Sequence, residues 1–110
     1  MPVEISLYSY KVGKVQHMYC PELRLYGYGS TEEEVEEYFE NEYSTFLDYT
    51  AGFGNLSFFL KRIGWVENNQ LEMEPPLLDY MIKEDHDFYG IINNYEFCKY
   101  LKTINLPQID

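Results

Sequence analysis

Gly27-Tyr-Gly-Ser-Thr-Glu-Glu-Glu-Val-Glu-Glu-Tyr-Phe-Glu-Asn-Glu-Tyr-Ser-Thr-Phe-Leu47 decides the fold of this chain. It reads as a glycine-marked exit from a strand, a helix cap and a long amphipathic helix. Ser30 with Glu33, or Thr31 with Glu34, makes an S/T-x-x-E capping box that supplies acceptors for the first orphan N–H groups of a helix. Val35, Tyr38, Phe39, Tyr43, Phe46, Leu47 and Thr50 then recur at three- and four-residue steps and form one stripe. Seven glutamates and Asp48 lie between Ser30 and Thr50, with no lysine or arginine among them. Most fall opposite the stripe, and the earliest sit where the helix dipole favours negative charge. The stretch predicts a helix with one face in a core and one strongly negative face in water.

Glu42 breaks this pattern. It falls near the middle of the apolar arc, between Tyr38, Phe46 and Tyr49, and a carboxylate buried alone is costly. Either this part of the helix overhangs the sheet and Glu42 stays hydrated, or it meets a cation on another chain.

Upstream, Val3, Ile5 and Leu7 alternate with Glu4, Ser6 and Tyr8, the period of a half-buried strand. Gly13 marks a turn, and Val15 to Cys20 reads as a second strand. Pro21, which cannot donate to a ladder, breaks that strand. Arg24 to Tyr28 is a third strand, ending at Gly27 and Gly29. Short connections favour an antiparallel meander on which the long helix lays its stripe.

Downstream, Gly52-Phe53-Gly54 separates the long helix from a second one. In that second helix Asn55 stands as cap, Leu56, Phe59, Leu60 and Ile63 form the stripe, and Gly64 is the stop. Trp65 to Met73 returns to extended structure, with Asn68-Asn69 as a hairpin turn. Pro75-Pro76 opens a helical region in which Leu77, Leu78, Met81 and Ile82 form one short stripe and Phe88, Ile91 and Ile92 another. Lys99 to Leu106 is strand-like. The expected fold class is α+β: a three-to-four-stranded antiparallel sheet with a long helix on one face, plus a small helical tail and a final strand. Residues 1–74 make the α+β domain, and 75–110 a C-terminal appendage that is not independent.

The chain's 110 residues suffice for a real core, and 45% hydrophobic and 18% aromatic residues exclude a disordered chain. Nineteen acids against eight bases give a net charge of −11. Direct binding to nucleic-acid phosphates needs a basic stripe, and no basic cluster exceeds Lys61-Arg62. The field favours a basic partner or solubility. Cys20 and Cys98 are in no metal or redox spacing and read as two core thiols of a reducing compartment. Without a signal peptide or a membrane-length apolar run, a cytoplasmic location is expected.

Little here carries chemistry. His17 and His86 are the only histidines, and neither has a Cys or His at ligand spacing, so no metal, cofactor or catalytic residue is assigned. An acid–base pair involving either with a carboxylate would have to be assembled by folding. Gly27-x-Gly29 before a helix suggests a phosphate loop, but the glutamates at the helix mouth would repel an anion. Tyr8, Tyr10, Tyr19, Tyr26 and Tyr28 lie on the three strands, Tyr26 and Tyr28 on a shared face. Core edges and a protein interface suit them better than base stacking, for which a basic funnel is missing.

The run Cys20-Pro21-Glu22-Leu23, followed by Gly29-Ser30-Thr31-Glu-Glu33-Glu34-Val35, resembles the signature of the HicB-like antitoxin domain family. There a strand ends in Pro-Asp/Glu-Leu, a third strand follows, and Gly-Asp-Thr leads into Glu-Glu-Ala on the first helix. The resemblance covers residues 3 to about 66, and the proline-rich tail is similar to that of longer bacterial variants. Arg24-Leu25 replaces the usual Pro-Gly, in a loop one residue shorter. The resemblance implies a β-β-β-α-β core, no catalysis, and neutralisation of a small basic RNA-cleaving toxin of the HicA type. Most members also carry a DNA-binding module; in this tail only Lys83, Lys99 and Lys102 are basic, so direct DNA binding is not expected. The partner contacts expected on the helix are Glu33, Glu36, Glu37, Glu40 and Glu42. The alternative is a stand-alone homo-oligomer of the same fold, the tail strand pairing with another subunit. A small enzyme using His17 or His86 is the third possibility.

Overall fold

The computed structural model describes residues 2–52 and 55–107. Its centre is a four-stranded antiparallel sheet built from β1 (Pro2–Val12), β2 (Val15–Cys20), β3 (Leu25–Gly29) and β6 (Phe97–Asn105), in the order β3-β2-β1-β6. Between β3 and β6 the chain forms α1 (Glu32–Gly52), α2 (Leu56–Arg62), β4 (Val66–Glu67), β5 (Met73–Glu74), α3 (Leu78–Glu84) and α4 (His86–Asn94). The α+β class, the three-strand meander and the long helix are as the sequence predicts. Phe53 and Gly54 of the expected helix break lie outside the described residues.

Thr31, not Ser30, caps α1. Its Oγ1 accepts the Glu34 N–H at 3.2 Å, and the Glu34 carboxylate reaches back to the Ser30 N–H at 2.9 Å. The stripe behind the cap packs on the sheet: Val35, Phe39 and Phe46 join Val3, Ile5, Leu7, Met18 and Cys20 in the main core. Thr50, fully buried, donates its hydroxyl to the Phe46 carbonyl at 2.8 Å, so it ends the stripe without an orphan polar group.

The fourth strand of the sheet is not the segment that follows the helices. β4 and β5 are two residues each and pair only with one another, across a turn organised by Asn68. The Asn68 Oδ1 accepts the N–H groups of Gln70 and Glu72, while its own N–H donates to the Glu72 carbonyl. The edge place beside β1 goes to β6, which pairs antiparallel with β1 from Pro2↔Asn105 to Tyr10↔Phe97. Ile104 and Leu106 carry the tail into the main core.

Both faces of the sheet are covered in part. α1 and α2 lie on the face of Val3, Ile5 and Leu7. α4 covers the opposite face, where Tyr8, Tyr19, Met81, Phe88 and Ile91 form a second core. Its buried stripe is as predicted, whereas the expected α3 stripe is corrected: Met81 is buried, but Leu77 is 79% exposed and Leu78 lies outward too. Asn55 stands at the start of α2 but makes no side-chain cap, and its Oδ1 is buried without a partner. The expectation of two core thiols also fails, because Cys98 is exposed on β6 while Cys20 is buried.

Other buried polar groups find partners, with Glu22 and Asp85 at the centre of two networks. The Glu22 carboxylate accepts the Ser6 N–H at 3.0 Å and the Ser6 hydroxyl at 2.7 Å. The Cys20 thiol donates to it at 3.6 Å, and the Trp65 Nε1–H donates to the Glu22 carbonyl at 2.7 Å. These donors make a buried carboxylate tolerable and pin the β2–β3 turn to β1 and to Trp65. Burial, and then the Glu22 charge, push the Cys20 thiol well above its ordinary value, so it stays protonated. On the other face the Tyr19 hydroxyl donates to Asp85 at 2.6 Å, and Asp85 also caps α4 through the Phe88 N–H at 3.2 Å.

Tyr19, Tyr10 and Tyr43 all have their phenols raised above the ordinary value, chiefly by burial; the bond to Asp85 adds to this at Tyr19. The native state therefore holds these protons more tightly than the unfolded chain. Their contribution to stability is whole below about pH 10 and is lost as pH rises past it. The urea midpoint is expected to fall between pH 9 and 11, and Tyr19→Phe to fall less steeply over that interval. At pH 7 that variant is expected to lose about 1–3 kcal/mol, because Asp85 loses a donor in a buried place.

Candidate functional site

α1 runs over β2 and β3, so the β1–β6 half of the same sheet face is left partly open. The result is a groove of about 360 Å³ between the helix and the edge strand. Its floor is apolar: Leu7, Met18 and Phe39. One wall is the i, i+4, i+8 row Glu32, Glu36, Glu40, and the other is Tyr100, Leu101 and Lys102. Contacts between helix and strand close one end. The Lys102 Nζ donates to Glu40 Oε1 at 2.8 Å, and the Tyr43 hydroxyl meets the Asn105 carbonyl at 3.4 Å. Glu32 and Glu36 make no ion pair among the described residues.

The outer wall is an open sheet edge. β6 pairs with β1 on one side only, which leaves alternate N–H and C=O groups along its nine residues facing outward. Tyr100 and Leu101 are 50% and 63% exposed. Both lysines of the strand are engaged within the molecule, Lys102 with Glu40 and Lys99 5.7 Å above the Tyr8 ring. The charge that such an edge uses to repel indiscriminate pairing is thus partly spent on the protein itself.

Of the residues expected to contact a partner, Glu36 and Glu40 line this groove. Glu33 and Glu37 are exposed beyond its rim, and Glu42 is half-buried with no ion pair among the described residues. Glu42 lies near Tyr38, whose phenol is raised mainly by hydrogen bonding with Tyr28, with Glu42 a minor contributor. Glu32 was not singled out from sequence. The signal was available, since it begins the i+4 row that ends at Glu40, but only the position of β6 shows which row faces a groove.

The histidines are brought together on the opposite face, where His17 and His86 line one cleft with Asp87. Neither is hydrogen-bonded to a carboxylate among the described residues. Nor do three His, Cys, Asp or Glu side chains among the described residues cluster as a metal site would require. No described helix is long and apolar enough to cross a membrane. The chain is a small α+β protein with a two-faced antiparallel sheet. It matches no family model, no curated protein and no solved structure.

Proposed function

We propose that this protein is a non-catalytic binding protein of the HicB-like kind that captures and neutralises a basic RNA-cleaving partner in the cytoplasm. The observation that carries this reading is the groove: unopposed carboxylates of Glu32 and Glu36 above an apolar floor, bordered by an open strand edge. An extended segment of the partner adds to β6 through main-chain hydrogen bonds, which give affinity without demanding sequence. Its basic side chains meet Glu32 and Glu36, while Glu33 and Glu37 extend the negative field outward and speed encounter. The β-β-β-α order and the Thr31–Glu34 cap support the resemblance that suggested the toxin class.

The triple reversal Glu33→Lys, Glu36→Lys and Glu37→Lys leaves the Glu40–Lys102 pair intact. It is expected to slow association with the partner recovered from the source cell by roughly tenfold or more at low salt. The difference should shrink as ionic strength rises above about 0.1 M. Equal association rates at low salt would remove these glutamates from the interface.

The open β6 edge favours a second reading, in which another copy of this chain pairs there and the protein works as a homo-oligomer. Sedimentation equilibrium separates the two. A dimer abolished by Leu101→Pro, which removes a main-chain donor and stiffens the edge, favours self-pairing. A monomer at all concentrations leaves the edge to a different partner.

A further inference from the structure

On the sheet face opposite α1, the register Tyr10↔His17↔Tyr28 places three rings in a row across β1, β2 and β3. Tyr10 and His17 stack at 5.1 Å with 14° between planes, and Tyr28 lies 6.0 Å from His17. Tyr95 adds to the far end at 5.0 Å from Tyr10. α4 rises beside this row, and the space between is a cleft of about 530 Å³, within the size range of small-ligand sites.

The chemistry of the lining is one-sided. Tyr10, His17, Tyr19, Tyr26 and Tyr95 supply the rings, Asp87 and Asn94 supply acceptors from α4, and His86 stands beside Asp87 at the start of that helix. No lysine or arginine lines it. Arg24 is held near Asp85, at 4.0 Å, and Lys99 near Tyr8. Burial, and then the neighbouring Tyr95 and Asp87, raise the Tyr10 phenol above its ordinary value. Gly90 faces the cleft with only the Asn94 side chain, at 3.9 Å, near where a Cβ would stand, which leaves room beside the helix.

Ring faces attract cations, a carboxylate adds a charge-assisted hydrogen bond, and a planar guanidinium satisfies both by stacking and by forked donation. We infer that this cleft binds a guanidinium group, held against its aromatic lining and donating to Asp87. The group is either an arginine side chain of a peptide or a free guanidino compound. An anionic nucleobase ligand fits less well, because its phosphates would meet Asp87 and a chain of net charge −11.

The test is a side-chain NMR titration of the full chain with N-acetyl-argininamide, free arginine, the neutral isostere N-acetyl-citrullinamide, and a uridine decamer. Saturable shifts confined to Tyr10, His17, Tyr26, Tyr95 and Gly90 with the blocked arginine or with free arginine, and absent with citrulline, are expected. Tighter binding of the blocked form identifies a peptide arginine, and tighter binding of free arginine a small guanidino compound. Asp87→Asn, an exposed substitution that leaves the fold intact, is expected to weaken binding roughly three- to tenfold. Tyr26→Leu provides a second variant on a half-exposed ring, with a similar loss. Equal binding of the citrulline isostere, unchanged affinity in both variants, or preferential binding of the uridine decamer would each overturn the assignment.

Discussion

Phe88→Ala will lower the stability of this protein by about 3–5 kcal/mol, the usual cost of emptying a large buried aromatic site. Phe88 is fully buried, lies edge-on to Tyr8 at 4.8 Å and stacks near Tyr19 at 6.3 Å. It is the main plug between α4 and the sheet. α4 has nine residues, too few to be helical alone, so its order comes from this packing. Domains of this size are stable by only about 5–15 kcal/mol, so the variant is expected to be close to unfolding at 37 °C. The checks are the urea midpoint and the amide-exchange protection of α4. A loss below about 1 kcal/mol would mean that the second core is not formed as described.

The next largest effect is expected at Gly27. A Cβ there would stand 2.7 Å from the Val35 carbonyl oxygen and 3.0 Å from the Phe39 amide nitrogen. Both are backbone atoms of α1, so relief requires moving the helix off the sheet rather than turning a side chain. Gly27→Ala is expected to cost about 1–3 kcal/mol, and Gly27→Val more. Gly13 provides the contrast. It turns with φ of +63° but has open space around it, so alanine there meets only the left-handed backbone penalty, about 1–2 kcal/mol. If Gly27→Ala unfolds at the wild-type urea concentration, α1 does not lie against β3 as closely as described.

These positions show what the sequence could disclose. The Val3-Ile5-Leu7 alternation and the Thr31-x-x-Glu34 box act over a few residues, and both were legible. The second core was not. Tyr8 and Tyr19 are amphipathic, so their burial depends on whether something distant covers them; the cover comes from α4, far along the chain. Gly27 read as the end of a strand, when it is also the place where helix and sheet nearly touch; that contact has no local signature. The brief stripe of α3 could not distinguish Met81 from Leu77, because two turns fit several faces equally well. For the groove, the acidic row was visible, but its facing wall β6 required a pairing between the two ends of the chain. His17 and His86 share a cleft for the same reason.

The proposed docking surface is formed by α1 and β6 together. Amide hydrogen exchange on the free protein and on its complex with the partner recovered from the source cell tests it most directly. Slowed exchange at those β6 amides that point away from β1, together with the first half of α1, is the predicted result. Unchanged β6 exchange in a formed complex, with protection elsewhere, would contradict it.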